Sequence, residues 1–284
     1  MKKLLFTTII LSTFIFANIN TIVSILPEKT FVEAIGGDKV DVTLMVLPGN
    51  SPHTYEPKPS QMKAVAKAQL YFAIGVEFEK VWLPKFKDLN PAMKVIDLSE
   101  GIEKLPMGAD HHHENEHHHA DAGSTDPHIW TSPKNVATLA KKIYETLAKA
   151  DAPNAAYYKQ NLETFLQRVQ KTDETIKSVL SHKPSGTAFM VFHPSWGYFA
   201  KAYGLVQVPV EVEGKNPKPR ELVQIIKEAK EEKISAIFTQ PEFSDSSVKV
   251  IASELHIPVI KVSPLAADWS ENLIRIAKAI AGVK

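Results

Sequence analysis

"APNAAYYKQNLETFLQRVQKTDETIKSVLSHK", residues 152–183, is the stretch on which the fold turns. Tyr158, Leu162, Phe165, Leu166, Val169, Ile176 and Leu180 recur in it near helical spacing. About 28 helical residues at 1.5 Å each reach roughly 40 Å. That is long for a helix inside one lobe and suits a strut between two, so residues 153–183 are expected to form a linking helix.

Working outward from that helix, the same alternation appears on both sides. Before it, "TIVSIL", "KVDVTLMVL", "LYFAIG" and "MKVIDLS" read as strands. Between them "PEKTFVEAIGG", "SQMKAVAKAQ" and "FEKVWLPKFKDL" read as helices, the last broken by Pro84. "SPKNVATLAKKIYETLAKA" adds a helix opened by Ser132 and Pro133. After the strut come the strands "TAFMVF", "VQVPVEV", "ISAIFTQ" and "IPVIKVS", separated by helical segments, and "SENLIRIAKAIAGVK" closes the chain as a helix. Strands alternating with helices imply parallel pairing. The expected architecture is α/β, with two similar lobes, 18–152 and 184–284, joined by one long helix.

The ends and composition narrow the function. "MKKLLFTTIILSTFIFA" has a basic start, a short apolar run and a credible cleavage residue at Ala17, so residues 1–17 read as a secretory signal peptide. The run is short for a bilayer span, which needs about 20 apolar residues. No cysteine follows it to carry a lipid anchor. The chain has 284 residues, a net charge of +1 and no cysteine, so disulfides and thiolate ligands are excluded and no basic stripe points to nucleic acid. Any metal site must draw on His, Asp, Glu or water.

Histidine is concentrated in "GADHHHENEHHHADAGSTDPHIW", residues 108–130, as two triplets at His111–His113 and His117–His119 followed by His128. No apolar residue larger than alanine lies between Gly108 and Pro127, so the loop 108–125 cannot build a core. Its imidazoles, with an ordinary pKa of about 6.5, are mostly neutral near pH 7 and can ligate. Three histidines share a different setting. His53 lies just after the strand "VTLMVL" in "PGNSPHTYEP", His128 just before a helix in "DPHIW", and His193 at the end of a strand in "FHPSWGYF". Ligands of open α/β sheets bind beyond the carboxyl ends of strands. Three imidazoles without thiolate match tetrahedral zinc with one position open. The signatures H-E-x-x-H, G-x-S-x-G, the P-loop and G-x-G-x-x-G are missing.

"LPGNSPHTYEPKPSQMKAVAKAQLYFAIG", "DPHIWTSPKNV", "VFHPSWGYFAKAYGL" and "FTQPEFSDSSVKVIASEL" resemble, in order and spacing, the metal-binding solute receptors of bacterial ABC importers, the zinc/manganese cluster. The resemblance covers nearly all of the chain after residue 17. It implies two α/β lobes with a metal ion held in the cleft between them, and His53, His128 and His193 as its ligands. It implies a zinc-binding periplasmic receptor that delivers Zn2+ to an inner-membrane ABC permease and performs no reaction; a monomer is expected and, with no cysteine after the apolar run, no lipid anchor. Manganese receptors of this type commonly carry a carboxylate at the third position, and His193 therefore favours zinc. The family often has an aspartate directly before the C-terminal "PL" pair, where this chain has Ser263. The fourth ligand stays open between water, Asp268, Glu79 or another group. The alternatives are a manganese or iron receptor of the same kind, and a three-histidine zinc hydrolase, which would need a general base that the sequence does not display.

Overall fold

The computed structural model describes residues 18–107, 125–212, 215–243 and 246–283. The expected signal peptide and the histidine triplets lie outside the described residues. The first half builds a parallel sheet from β1 (Ile19–Val23), β2 (Val40–Leu44), β3 (Leu70–Ala73) and β4 (Lys94–Asp97) in the order β2-β1-β3-β4. The second half repeats it with β5 (Thr187–Val191), β6 (Leu205–Pro209), β7 (Ile237–Thr239) and β8 (Val259–Lys261) in the order β6-β5-β7-β8. In each sheet the chain moves outward in one direction and then turns back past its first strand. A crevice opens where the order reverses, beyond the ends of β1 and β3 in one lobe and of β5 and β7 in the other.

The helices follow from burial of single faces. In α4 (Pro133–Ala150), Val136, Leu139, Ala140, Ile143 and Leu147 form the buried stripe. In α5 (Ala155–Leu180), Tyr158, Leu162, Phe165, Val169, Thr172, Ile176 and Leu180 are buried. This is the long helix expected from the sequence, 26 residues, or about 39 Å. It starts two residues later than expected, because Ala152–Asn154 forms a 3-10 turn. There Asp151 accepts hydrogen bonds from Asn154 and from the Tyr158 hydroxyl, both at 2.7 Å.

The strut is not free-standing. α1 (Leu26–Gly36), α4 and the last helix, α9 (Trp269–Ala281), all pack along α5. Although α9 follows the second sheet, its Trp269 meets Phe31 of α1 edge to face at 5.6 Å and donates its indole N–H to the Trp130 carbonyl at 2.7 Å. One continuous core therefore runs through Ile22 and Phe31, Leu139, Phe165, Phe189 and Trp269. A smaller core lies around Met190, Phe192, Ile237 and Val248, beneath α7 (Pro219–Glu231) and α8 (Ser246–Leu255).

One local expectation is overturned. Pro84 does not break α3 (Glu77–Leu89), which runs through it. Proline removes one backbone donor and so frees the carbonyl of Lys80, four residues earlier. Both Pro84 and Lys80 are exposed, so water can satisfy that carbonyl. Among the described residues, no helix is long and apolar enough to cross a membrane.

Candidate metal centre

His53, His128 and His193 arrive from three different parts of the chain and line one cleft, together with Ser51, Glu77, Trp130, Gln240, Glu242 and Phe243. His193 stands two residues beyond β5, at the reversal point of its sheet. His128 opens the 3-10 turn Ile129–Thr131 that leads into α4. His53 is not directly after β2 as read from the sequence, since β2 ends at Leu44 and a loop intervenes. The ring centres of His53 and His193 are 5.2 Å apart, and those of His128 and His193 are 5.4 Å apart.

Those spacings are informative. With a Zn–N bond of about 2.0–2.1 Å and a ring radius of about 1.2 Å, two imidazoles on a tetrahedral ion have centres about 5.2 Å apart. Spacing alone does not make a shell. Among the described residues, no three His, Asp or Glu side chains already converge as a closed metal cage. Two of the three ring separations, those from His193 to His53 and to His128, match two imidazoles on one tetrahedral ion.

Each ring has a carboxylate behind it. Asp126 Oδ1 lies 2.7 Å from His128 Nδ1 and also accepts the His128 backbone N–H at 2.8 Å. Glu211 Oε1 lies 2.7 Å from His193 Nδ1. Glu77 Oε2 faces His53 Nδ1 at a looser 3.4 Å. A carboxylate at Nδ1 favours the tautomer with the proton there, leaving the lone pair on Nε2. His193 Nε2 is buried and has no hydrogen-bond partner. An unpaired buried polar atom is destabilising unless a ligand uses it. Burial, more than any neighbour, holds the pKa of His53 below its ordinary value, with His193 adding to the effect and Glu77 opposing it. His53 therefore stays neutral at pH 7 and need lose no proton to bind a metal.

The surroundings fix these groups. Gln240 donates to the His193 carbonyl and to Ser195 Oγ, each at 3.0 Å, while Phe243 stacks on the His193 ring with centres 5.0 Å apart. The Trp130 indole N–H donates to the Pro264 carbonyl at 2.8 Å, joining the His128 turn to the far lobe.

Two of the side chains considered for the fourth ligand, Glu79 and Asp268, do not line the cleft. Glu79 is buried in the first lobe, where it accepts the backbone N–H groups of Ile74 and Gly75 at 2.9 and 2.7 Å and the hydroxyl of Ser24. Asp268 sits at the start of α9, exposed and paired with Arg275 at 3.0 Å. The carboxylates that do reach the site were not singled out in the sequence. Asp126 left a trace, two residues before His128, whereas Glu211 and Glu242 come from distant loops with no local signature.

Residues 22–282 match the family model described as zinc-uptake complex component A, periplasmic. The crystal structure of ZnuA superposes with a TM-score of 0.85 at 42% identity, covering 94% of this chain and 99% of that one. A putative metal-binding protein of Chlamydia trachomatis serovar D is 27% identical over 263 residues, 92% of this chain and 90% of its own. The manganese ABC transporter substrate-binding lipoprotein PsaA of Streptococcus pneumoniae is 27% identical over 248 residues, 83% of this chain and 76% of its own.

Proposed function

Because the chain belongs to the family of periplasmic zinc-uptake complex A components, a family of substrate-binding receptors for zinc and manganese ABC uptake, we propose that its own cargo is Zn2+. The observation that carries this reading is the trio itself: three imidazoles, each with a carboxylate at Nδ1, around a buried and unbonded His193 Nε2. Nitrogen donors suit zinc better than the harder manganese. His53, His128 and His193 are the ligands, and the protein holds the ion without transforming a substrate. It is exported by the signal peptide of residues 1–17, works in the periplasm as a monomer, and hands its ion to an inner-membrane ABC permease.

Metal analysis of tag-free protein, with zinc and manganese in competition, tests the assignment. One tight zinc per chain is expected, and alanine at His53, His128 or His193 should weaken it by more than about tenfold. Preferential retention of manganese would overturn the cargo, and full affinity in all three variants would overturn the ligands.

The tract 108–124 has a separate part in this reading. His119 lies nine residues from His128, which tethers the triplets within about 30 Å of the site. The tract collects zinc weakly and raises its local concentration. Each of its sites is weaker than the trio, whose three imidazoles the folded core gathers at one cleft. Calorimetry on a variant lacking residues 108–124 should show fewer weak ions and an unchanged tight one. Loss of the tight phase would instead make the triplets part of the main site.

A further inference from the structure

Three imidazoles leave a tetrahedral zinc ion one donor short. They also leave its two positive charges unbalanced in a cleft walled partly by Val76, Trp130, Phe243 and Leu265. Of the described residues lining the cleft, two carry carboxylates, Glu77 and Glu242. Glu77 stands at the Nδ1 side of His53, behind the ring. Glu242 is differently placed. It lies in the turn after β7, and the residues on either side of it are fastened to His193. Gln240 brackets the His193 backbone, accepting its N–H at 3.4 Å and donating to its carbonyl at 3.0 Å. Phe243 stacks on the imidazole, with ring planes 30° apart. Glu242 is thus held beside His193 from both directions along the chain.

Its carboxylate is oriented from the next strand. Ser263, two residues beyond β8, donates its hydroxyl to Glu242 Oε1 at 3.0 Å. The same Ser263 oxygen accepts the Leu265 backbone N–H at 3.1 Å, which fixes its direction. A serine hydroxyl has one proton to give. Ser263 therefore secures Oε1 and leaves Oε2 unengaged by it.

We propose that Glu242 completes the coordination of the bound ion through Oε2, with Ser263 as the positioning residue that holds Oε1. The proposal rests on the assignment of His53, His128 and His193 as ligands. Binding then draws His53 and Glu242 inward, since no three donors converge beforehand among the described residues. The carboxylate balances one charge of the ion and gives the shell three nitrogens and one oxygen. Ser263, which cannot itself supply a carboxylate, acts by directing one that arrives from the neighbouring loop.

The test compares wild type with E242Q, E242A, S263A and H193A. Zinc affinity is read by chelator competition, and the coordination shell by the visible spectrum of the cobalt(II)-loaded protein. Thermal melting of the metal-free forms checks folding, and E242Q keeps the side-chain volume should the alanine variant be unstable. Both Glu242 variants should bind zinc about tenfold or more weakly, since even the loss of a group supporting a ligand has an effect of that size. Their cobalt bands should also change. S263A should weaken binding less and shift the cobalt spectrum in the same direction, which a purely structural loss would not do. Wild-type affinity and an unaltered cobalt spectrum in E242Q, with binding lost in H193A, would overturn the role of Glu242 and leave the histidines standing. Tight binding retained in H193A would remove the histidine site itself, and Glu242 with it.

Discussion

Histidine by histidine, the sequence carried more of the site than its carboxylates did. His53, His128 and His193 stand out in the sequence as single histidines in loops near strand ends or a helix start, and the fold brings all three to one cleft. Glu211 and Glu77 reach His193 and His53 only through distances that the folded chain creates, whereas Asp126, two residues before His128, left a local trace. Glu79 shows the converse: a carboxylate that looked available is consumed inside the first lobe. Burial, before any other cause, pushes its pKa up to about 7. The unfolded chain loses this proton near pH 4.5, whereas the folded chain keeps it until about 7. Raising the pH across that window therefore lowers stability, by at most about 3 kcal/mol for a shift of this size. In E79Q the group no longer titrates. Denaturant unfolding of metal-free protein should show wild type losing stability relative to E79Q between pH 5 and 8, and flattening above. A difference independent of pH would mean that Glu79 ionises as it would in water. Glu28 lies close by and is pushed the same way, by burial and by the charge of Glu79, so the two carboxylates share Ser24 as their hydrogen-bond donor.

At the scale of elements, periodicity located the strands and helices well, because one buried face is enough to fix a period. It failed where the deciding contact is remote. Pro84 is tolerated because its turn of α3 faces water, which cannot be read from the proline. Gly197 is a second case. It opens α6 (Gly197–Tyr203), and a Cβ placed there would come within 2.6 Å of Asp126 Oδ2. Asp126 is short, buried and bonded to His128 through its other oxygen, so it has little room to withdraw. Tyr198, the next residue, donates its hydroxyl to the Asp126 carbonyl at 3.1 Å and so fixes the approach of the helix. Gly197→Ala should therefore displace Asp126 and loosen His128. Overpacking of this kind typically destabilises by about 1–3 kcal/mol, and zinc affinity should fall with it. Thermal melting and zinc titration of G197A check both parts. Unchanged affinity would show that His128 keeps its aim without that carboxylate.

For the whole molecule, the reading of two lobes and a long helix held, but the sequence could not show how tightly the lobes are joined. Contacts at a distance decide that. The core is shared across the halves, and α9 returns from the second sheet to lie along α5. Around the cleft, the Tyr198 hydroxyl accepts the Leu105 N–H at 3.1 Å, Lys201 pairs with Glu103 at 2.8 Å, and Trp130 bonds to Pro264. Wide opening would expose part of this core to water and break the indole hydrogen bonds of Trp130 and Trp269, each a net loss of about 0.5–1.5 kcal/mol. A continuous helix also resists the backbone rotation that a hinge requires. Uptake and release of the ion would therefore fall to local parts, above all the loop that carries His53, which is the least buried of the three proposed ligands. Small-angle scattering from metal-free and zinc-loaded protein should give nearly equal radii of gyration, with hydrogen exchange slowed by zinc mainly around residues 47–58 and 240–243. A marked compaction on loading, with exchange slowed along α5 and α9 as well, would mean that the lobes swing as rigid bodies and that the shared core yields.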